Sequence, residues 1–169
     1  MSWLDAVLRC PRCTAMRDGA GNPFRCPACG LVLFANPAVG VGAFVHDGAG
    51  RWLFTVRAKD PGKGLLGLPG GFVDADETAE AALQREAQEE IGCALTEVQF
   101  VCTAPNRYPY AGVVYDVLDV FFTARLAGAP RADRDEVSAM RWLAGEAVRE
   151  DEIAFPSMRA AWRILRARG

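Results

Sequence analysis

Along the chain, apolar residues gather in short runs divided by glycine, proline and aspartate. AVGVGAFV, from Ala38 to Val45, reads as a strand, DGAG at 47–50 as a turn, and RWLFTVRA as a second strand completing a hairpin. Residues 60–71, DPGKGLLGLPGG, hold five glycines and two prolines and read as a loop with a short extended piece at Leu66 to Leu68. From Asp74 the period changes. An acidic lead-in gives way to a helix, with Thr78 as N-cap, Leu83, Ala87 and Ile91 recurring every four residues, and Gly92 to end it. Strand-like runs follow near Leu95 to Thr103 and Val113 to Ala124, with a proline-marked loop around Pro105 and Pro109 between them. Val137 to Leu143 is a further strand, and Ser157 to Arg168 a final helix burying Met158, Ala161, Trp162 and Leu165. Mixed strands with two helices on one continuous sheet predict an α/β (α+β) sandwich.

The first 34 residues follow another logic. Cys10-Pro-Arg-Cys13 and Cys26-Pro-Ala-Cys29 are two C-x-x-C pairs separated by twelve residues. Four thiolates from two tight turns satisfy tetrahedral zinc, and with all four positions taken by protein the site is structural. Two disulfides are the competing reading, opposed by a reducing cytoplasm; a redox C-x-x-C would need no second pair. Arg9, Arg12, Arg17 and Arg25 raise nucleic-acid binding as another role, but no aromatic ladder accompanies them. The division is therefore a zinc ribbon at 1–34 and a larger domain at 35–169. Cys93 and Cys102 are left as core thiols.

Charge and scarcity narrow the chemistry. The net charge of −2 gives no sign of a nucleic-acid partner. No run approaches the length needed to span a membrane, and the N-terminus lacks a secretory pattern, so the expected setting is cytoplasmic. One histidine, three serines and no G-x-S-x-G leave neither a nucleophile elbow nor a histidine-rich catalytic metal site.

The acid is concentrated at 74–97, with eight carboxylates against one arginine. At about 100° per residue, Glu86 and Glu90 lie about 40° apart on the helix, with Glu89 about 60° to the other side of Glu86. All three share an edge beside the apolar stripe. Such clustering is unfavourable unless compensated, and a divalent cation compensates it, since Mg²⁺ prefers carboxylates, waters and phosphates. Arg85 can orient Glu89 and reach Glu77, and Gly71 can offer a carbonyl to the same ion. The competing reading is a solvated acidic surface helix.

GGFVDADETAEAALQREAQEEIGC, residues 70–93, resembles the signature of the Nudix hydrolases, G-x5-E-x7-R-E-U-x-E-E-x-G-U. Gly71, Glu77, Arg85, Glu86, Ala87, Glu89, Glu90, Gly92 and Cys93 fill every constrained position. A cysteine module ahead of this box further resembles zinc-ribbon Nudix proteins such as the bacterial NADH pyrophosphatases. Pro105, Tyr108, Pro109 and Tyr110 echo those enzymes' S-Q-P-W-P-F-P-x-S motif, which is itself absent.

The resemblance implies a Nudix α/β/α sandwich with a mixed sheet and hydrolysis of a diphosphate linked to a nucleoside, as in ADP-ribose or NADH. Mg²⁺ or Mn²⁺ held by Glu86, Glu89 and Glu90, with Gly71, would neutralise the diphosphate and activate water. Glu86 or Glu89 could accept the water proton, but Glu136, just before a strand, is the outer candidate for that base. Asp116 and Asp119 are weaker ones. Arg57 is placed to meet a phosphate, and Arg107, Tyr108 and Tyr110 to hold a base or phosphate. A surface salt bridge competes for Arg57, a dimer contact for the other three. His46 reads as a surface residue, and Trp3, Trp52, Trp142 and Trp162 as packing. A homodimer is also expected. The alternatives are a nucleoside triphosphate or RNA-end pyrophosphohydrolase and a non-catalytic nucleotide-sensing module; the intact glutamates oppose the latter.

Overall fold

The computed structural model describes residues 7–19 and 21–168. The chain divides into two compact units, Met1–Pro37 with Arg107–Asp116, and Ala38–Asn106 with Val117–Gly169. The smaller unit thus recruits a segment remote in sequence from its cysteines.

In the small unit, β1 (Phe24–Arg25) pairs antiparallel with β2 (Val32–Leu33). Its core is slight: Cys10, Phe24 and Cys26 are buried, with Leu31, Leu33 and the other two cluster cysteines packed around them. So little apolar surface cannot offset the entropy of ordering the segment, which explains the need for a staple.

The large unit is built on a six-stranded mixed sheet. β3 (Ala38–His46) turns back into β4 (Arg51–Arg57), and Asp47 closes that turn by accepting from the backbone N–H groups of Ala49 and Arg51. β5 (Leu66–Gly67) is the extended piece expected within the glycine-rich loop. Helix α1 (Ala79–Ile91) starts at Thr78, whose hydroxyl accepts the Ala81 N–H, and ends at Gly92 in the left-handed conformation. β6 (Leu95–Tyr110) and β7 (Val113–Leu126) follow, then β8 (Val137–Ala144), two short 3₁₀ turns and α2 (Pro156–Arg166). The strand order is β5-β4-β3-β7-β6, with β8 also paired to β4. β3 and β7 run parallel, with Gly40 opposite Asp119 and Ala43 opposite Phe122.

The sheet is covered on both faces. Leu83, Ala87 and Ile91 of α1 pack with Val41, Ala43, Val45 and Phe122. On the other side, Ala161 and Trp162 of α2 pack with Phe44, Phe54 and Phe121. At about 1.5–3 kcal/mol for each large side chain buried, these layers fix α1 firmly against β3. The expected α/β sandwich is the observed one.

One expectation fails. The stretch around Pro105 and Pro109 is strand, because β6 continues to Tyr110. β6 is the outermost strand of the sheet, where a missing N–H breaks no ladder on its open side. Ala111 and Gly112 then close the hairpin, both with positive φ, of 47° and 79°. Two such residues form the turn whose twist matches the flanking strands.

Candidate active site

The site begins with a close approach of backbone to helix. Residues 69–73 run beside β3: Ala43 N–H donates to the Pro69 carbonyl at 3.0 Å, and Val41 N–H to the Gly71 carbonyl at 2.8 Å. A side chain on Gly70 would start 2.1 Å from the Val41 carbonyl oxygen, and one on Gly71 would start 2.4 Å from the Glu86 carboxyl carbon. At Gly70, where the obstacle is backbone and φ is 146°, only glycine lets this strip lie so close to the sheet. Gly70 uses the proximity by donating its N–H to Glu90 Oε2 at 3.0 Å. The Gly71 carbonyl, expected as a metal ligand, already accepts from Val41, leaving its second lone pair for that role.

Arg85 holds the other carboxylates. It donates to both oxygens of Glu77 at 2.8 and 3.0 Å, to Glu86 at 2.7 Å, to Glu89 at 3.2 Å and to the Phe72 carbonyl at 3.0 Å. Its planar fork therefore ties the loop before α1 to the helix. Glu77, hydrogen-bonded by Arg85 and by the Asp74 N–H, is held below its usual carboxylate range.

Glu90 and Glu86 behave in the opposite sense. Burial pushes Glu90 up to about 8, partly opposed by the Gly70 N–H and reinforced by the charges of Glu86 and Glu136. Glu86 also shifts upward, chiefly through burial, despite its bond to Arg85. Loss of solvation disfavours both as anions, and the neighbouring carboxylates add to that. Oxygen donors with uncompensated charge fit a hard divalent cation. Glu86, Glu89 and Glu90 are the residues here that could hold such an ion, and Glu89 is the exposed member.

Glu136 is brought to the same place. Its charge bears on both Glu86 and Glu90. Its carbonyl accepts the Ala58 N–H at 3.0 Å, at the point where the β4–β8 register shifts between Val56 and Arg57. Bulges of this kind re-aim side chains beside functional sites. Arg57 is fixed there as well. Its Nε donates to the Pro61 carbonyl at 2.7 Å, and its guanidinium lies 5.0 Å from the Phe155 ring centre, while its charge favours ionised Glu90.

The family profile of the NUDIX domain matches residues 36–161. This chain belongs to the NUDIX family. It is 31% identical over 139 residues to the NAD-capped RNA hydrolase NudC of Deinococcus radiodurans, covering 79% of this chain and 48% of that protein. It is 36% identical over 84 residues to an ADP-ribose pyrophosphatase of Methanocaldococcus jannaschii, covering 48% of this chain and 49% of the relative. The chain spans about half the length of these two curated relatives. Among solved structures, the NUDIX domain of Shewanella oneidensis NrtR, complexed with ADP ribose, superposes with a TM-score of 0.64 at 27% identity, over 80% of this chain and 90% of that one.

Arg107, Tyr108 and Tyr110 belong to the small unit. Arg107 faces Asp116 at 3.7 Å, and the Tyr108 and Tyr110 ring centres are 6.4 Å apart. Asp116 is therefore a partner of Arg107, in an exposed pair. Asp119 turns inward and accepts the Ser157 hydroxyl at 2.6 Å, with Asn106 bonded to it as well. Its Oδ1 occupies the space that a side chain on Gly40 would fill. Ser157 and Asn106 had no signal in the sequence beyond their isolation among apolar neighbours. His46 stacks on Trp52, Trp162 is buried, Trp142 is 36% exposed and lies beneath Arg51, and Trp3 lies outside the described residues.

The cysteine cluster is equally well formed. The four sulfurs lie within 4.8 Å of one another, with Cys10–Cys29 at 3.7 Å and Cys13–Cys26 at 3.5 Å. Four thiolates about 2.3 Å from a tetrahedral ion stand about 3.8 Å apart. Each pair sits on a tight turn, Thr14 N–H bonding the Cys10 carbonyl and Gly30 N–H the Cys26 carbonyl. Backbone N–H groups of Cys29 and Ala28 lower the Cys26 thiol, while Cys13, 3.5 Å from it, is shifted up, so the close thiols share their protons unequally. The cluster has the geometry of a structural, zinc-ribbon-like metal site. No helix among the described residues is long and apolar enough to cross a membrane.

Proposed function

We propose that this chain hydrolyses the diphosphate linkage of a nucleoside diphosphate derivative of the ADP-ribose or NADH type, using Mg²⁺ or Mn²⁺ at Glu86, Glu89 and Glu90, and that its cysteine cluster holds zinc. The supporting observation is the pair of half-buried carboxylates, Glu86 and Glu90, whose protons are held up by loss of solvation, with Glu136 and Arg57 beside them. Two named relatives point to one chemical class, because NAD and ADP-ribose share a diphosphate joined to adenosine.

A bound divalent ion neutralises diphosphate oxygens and makes water a better nucleophile. The chain's own residues do the rest. Glu136 stands at an exposed position near the half-buried pair and accepts the proton of the attacking water. Arg57, held by Pro61 and Phe155, presents a rigid cation to a phosphate oxygen. Arg85 keeps Glu86 and Glu89 turned toward their task. A cytoplasmic setting keeps the four ligand thiols reduced.

The test is a panel of NADH, NAD, ADP-ribose, coenzyme A, sugar nucleotides, dinucleoside polyphosphates, nucleoside triphosphates and capped RNA, with products identified. Cleavage of an ADP-ribose or NADH-type diphosphate that falls about 100-fold or more in Glu90→Gln supports the proposal. Preferential cleavage of triphosphates or RNA ends replaces the substrate class. No metal-dependent turnover on any member sinks the hydrolase reading and leaves a nucleotide-sensing module.

A further inference from the structure

Glu136 lies outside the Nudix box and outside regular structure, yet its carboxylate must hold a stable relation to Glu86 and Glu90 if it is to act as base. This inference rests on that reading of Glu136. The last turn of α1 leaves carbonyls without helical partners, as every helix end does. Here two of them are taken by the segment that precedes β8. Arg131 N–H donates to the Ile91 carbonyl at 2.8 Å, and Asp133 N–H to the carbonyl of Glu90 itself at 2.8 Å. Asp133 then turns the chain around its own oxygens. Its carbonyl accepts Val137 N–H at 2.8 Å and Glu136 N–H at 3.3 Å, and its side-chain Oδ1 accepts Asp135 N–H at 3.0 Å.

We infer that Asp133 is a positioning residue for the reaction, its side chain locking the turn that holds Glu136 against the Glu90 end of α1. One residue touches the backbone of both groups, and its side-chain bond is the only one in the knot that mutation can remove singly. The carboxylate is exposed, and it accepts the Asp135 N–H within its own turn. Its contribution is the acceptor oxygen, since an Asx turn needs an oxygen at that position and no charge.

The experiment compares Asp133→Ala, Asp133→Asn and Glu136→Gln, singly and as Asp133→Ala/Glu136→Gln, using the best substrate of the panel. Asparagine keeps the acceptor, so Asp133→Asn is expected to retain kcat within about twofold. Alanine is expected to lower kcat about five- to tenfold with KM changed less than twofold, because a small misplacement of a reacting group costs rate and not ground-state binding. In the Glu136→Gln background, Asp133→Ala is expected to add no further loss, since the two act as a unit. Asn and Ala falling equally would show that charge matters instead of the turn, and overturn the inference. Additive losses, or a full-activity alanine variant, would do the same. Full activity in Glu136→Gln would remove Glu136 as the base, a separate failure read from its own arm. Equal melting temperatures in Asp133→Ala and the parent chain guard against simple unfolding.

Discussion

Glu90 meets two demands at one carboxylate. Burial and the charges of Glu86 and Glu136 hold its proton up to about 8, against an ordinary value of 4.5, while the Gly70 N–H keeps one oxygen oriented. The folded chain therefore binds this proton more tightly than the unfolded chain does. By linkage, its contribution to stability is present below about 4.5 and is lost as pH rises through about 8 when no cation is bound. A divalent ion reverses that balance, because it needs the ionised form and displaces the proton. Thermal unfolding with and without Mg²⁺ tests this. The rise in Tm on adding the ion is expected to be small near pH 6 and clearly larger near pH 9, and to be lost in Glu90→Gln. A rise independent of pH would remove Glu90 from the ligand set.

At the scale of the element, α1 and its lead-in loop act as a single piece because Arg85 binds Glu77, Glu86, Glu89 and the Phe72 carbonyl together. Lysine keeps the charge but not the fork. Arg85→Lys is expected to lower kcat/KM about tenfold or more and to lower Tm by a few degrees, measured on the Mg²⁺-loaded protein; unchanged kinetics would show that the fork serves stability alone. This element was legible in the sequence because its determinants are local. Thr78 and Gly92 stand at the two ends of the periodic segment, and helical spacing alone put three glutamates on one edge. What was not legible depends on backbone meeting backbone across long separations. Asp119 finds Ser157 at a distance of 38 residues. Asp133 finds Glu90 because a helix end needs donors, which says nothing about where they come from. The prolines at 105 and 109 mark a loop by local rules, and only the outer position of β6 makes them acceptable in a strand.

For the whole molecule, the cysteine cluster decides whether the smaller unit exists as structure. Among the described residues its buried centre is only Cys10, Phe24 and Cys26, with partly buried neighbours such as Val7, Leu31 and Leu33 around it. Metal analysis is expected to find one zinc per chain, lost in Cys26→Ser. Hydrogen exchange is then expected to show residues 7–35 unprotected in that variant while β3, β7 and α1 keep their protection. Protection of residues 7–35 without metal would refute the staple.

The small unit is also completed late. Its first part ends at Pro37 and its second begins at Arg107 and ends at Asp116, so 116 − 37 = 79 residues separate the two ends. At about 5–20 residues per second of synthesis, that gap lasts roughly 4–16 s. All four thiols emerge before it opens. An ion captured then would hold the cysteine turns in shape on the ribosome while the large unit's first strands and α1 are still being made. A bound metal would act in that interval as a placeholder for contacts that do not yet exist, and scarcity of the ion would be felt first by newly made chains, well before it reached protein already folded.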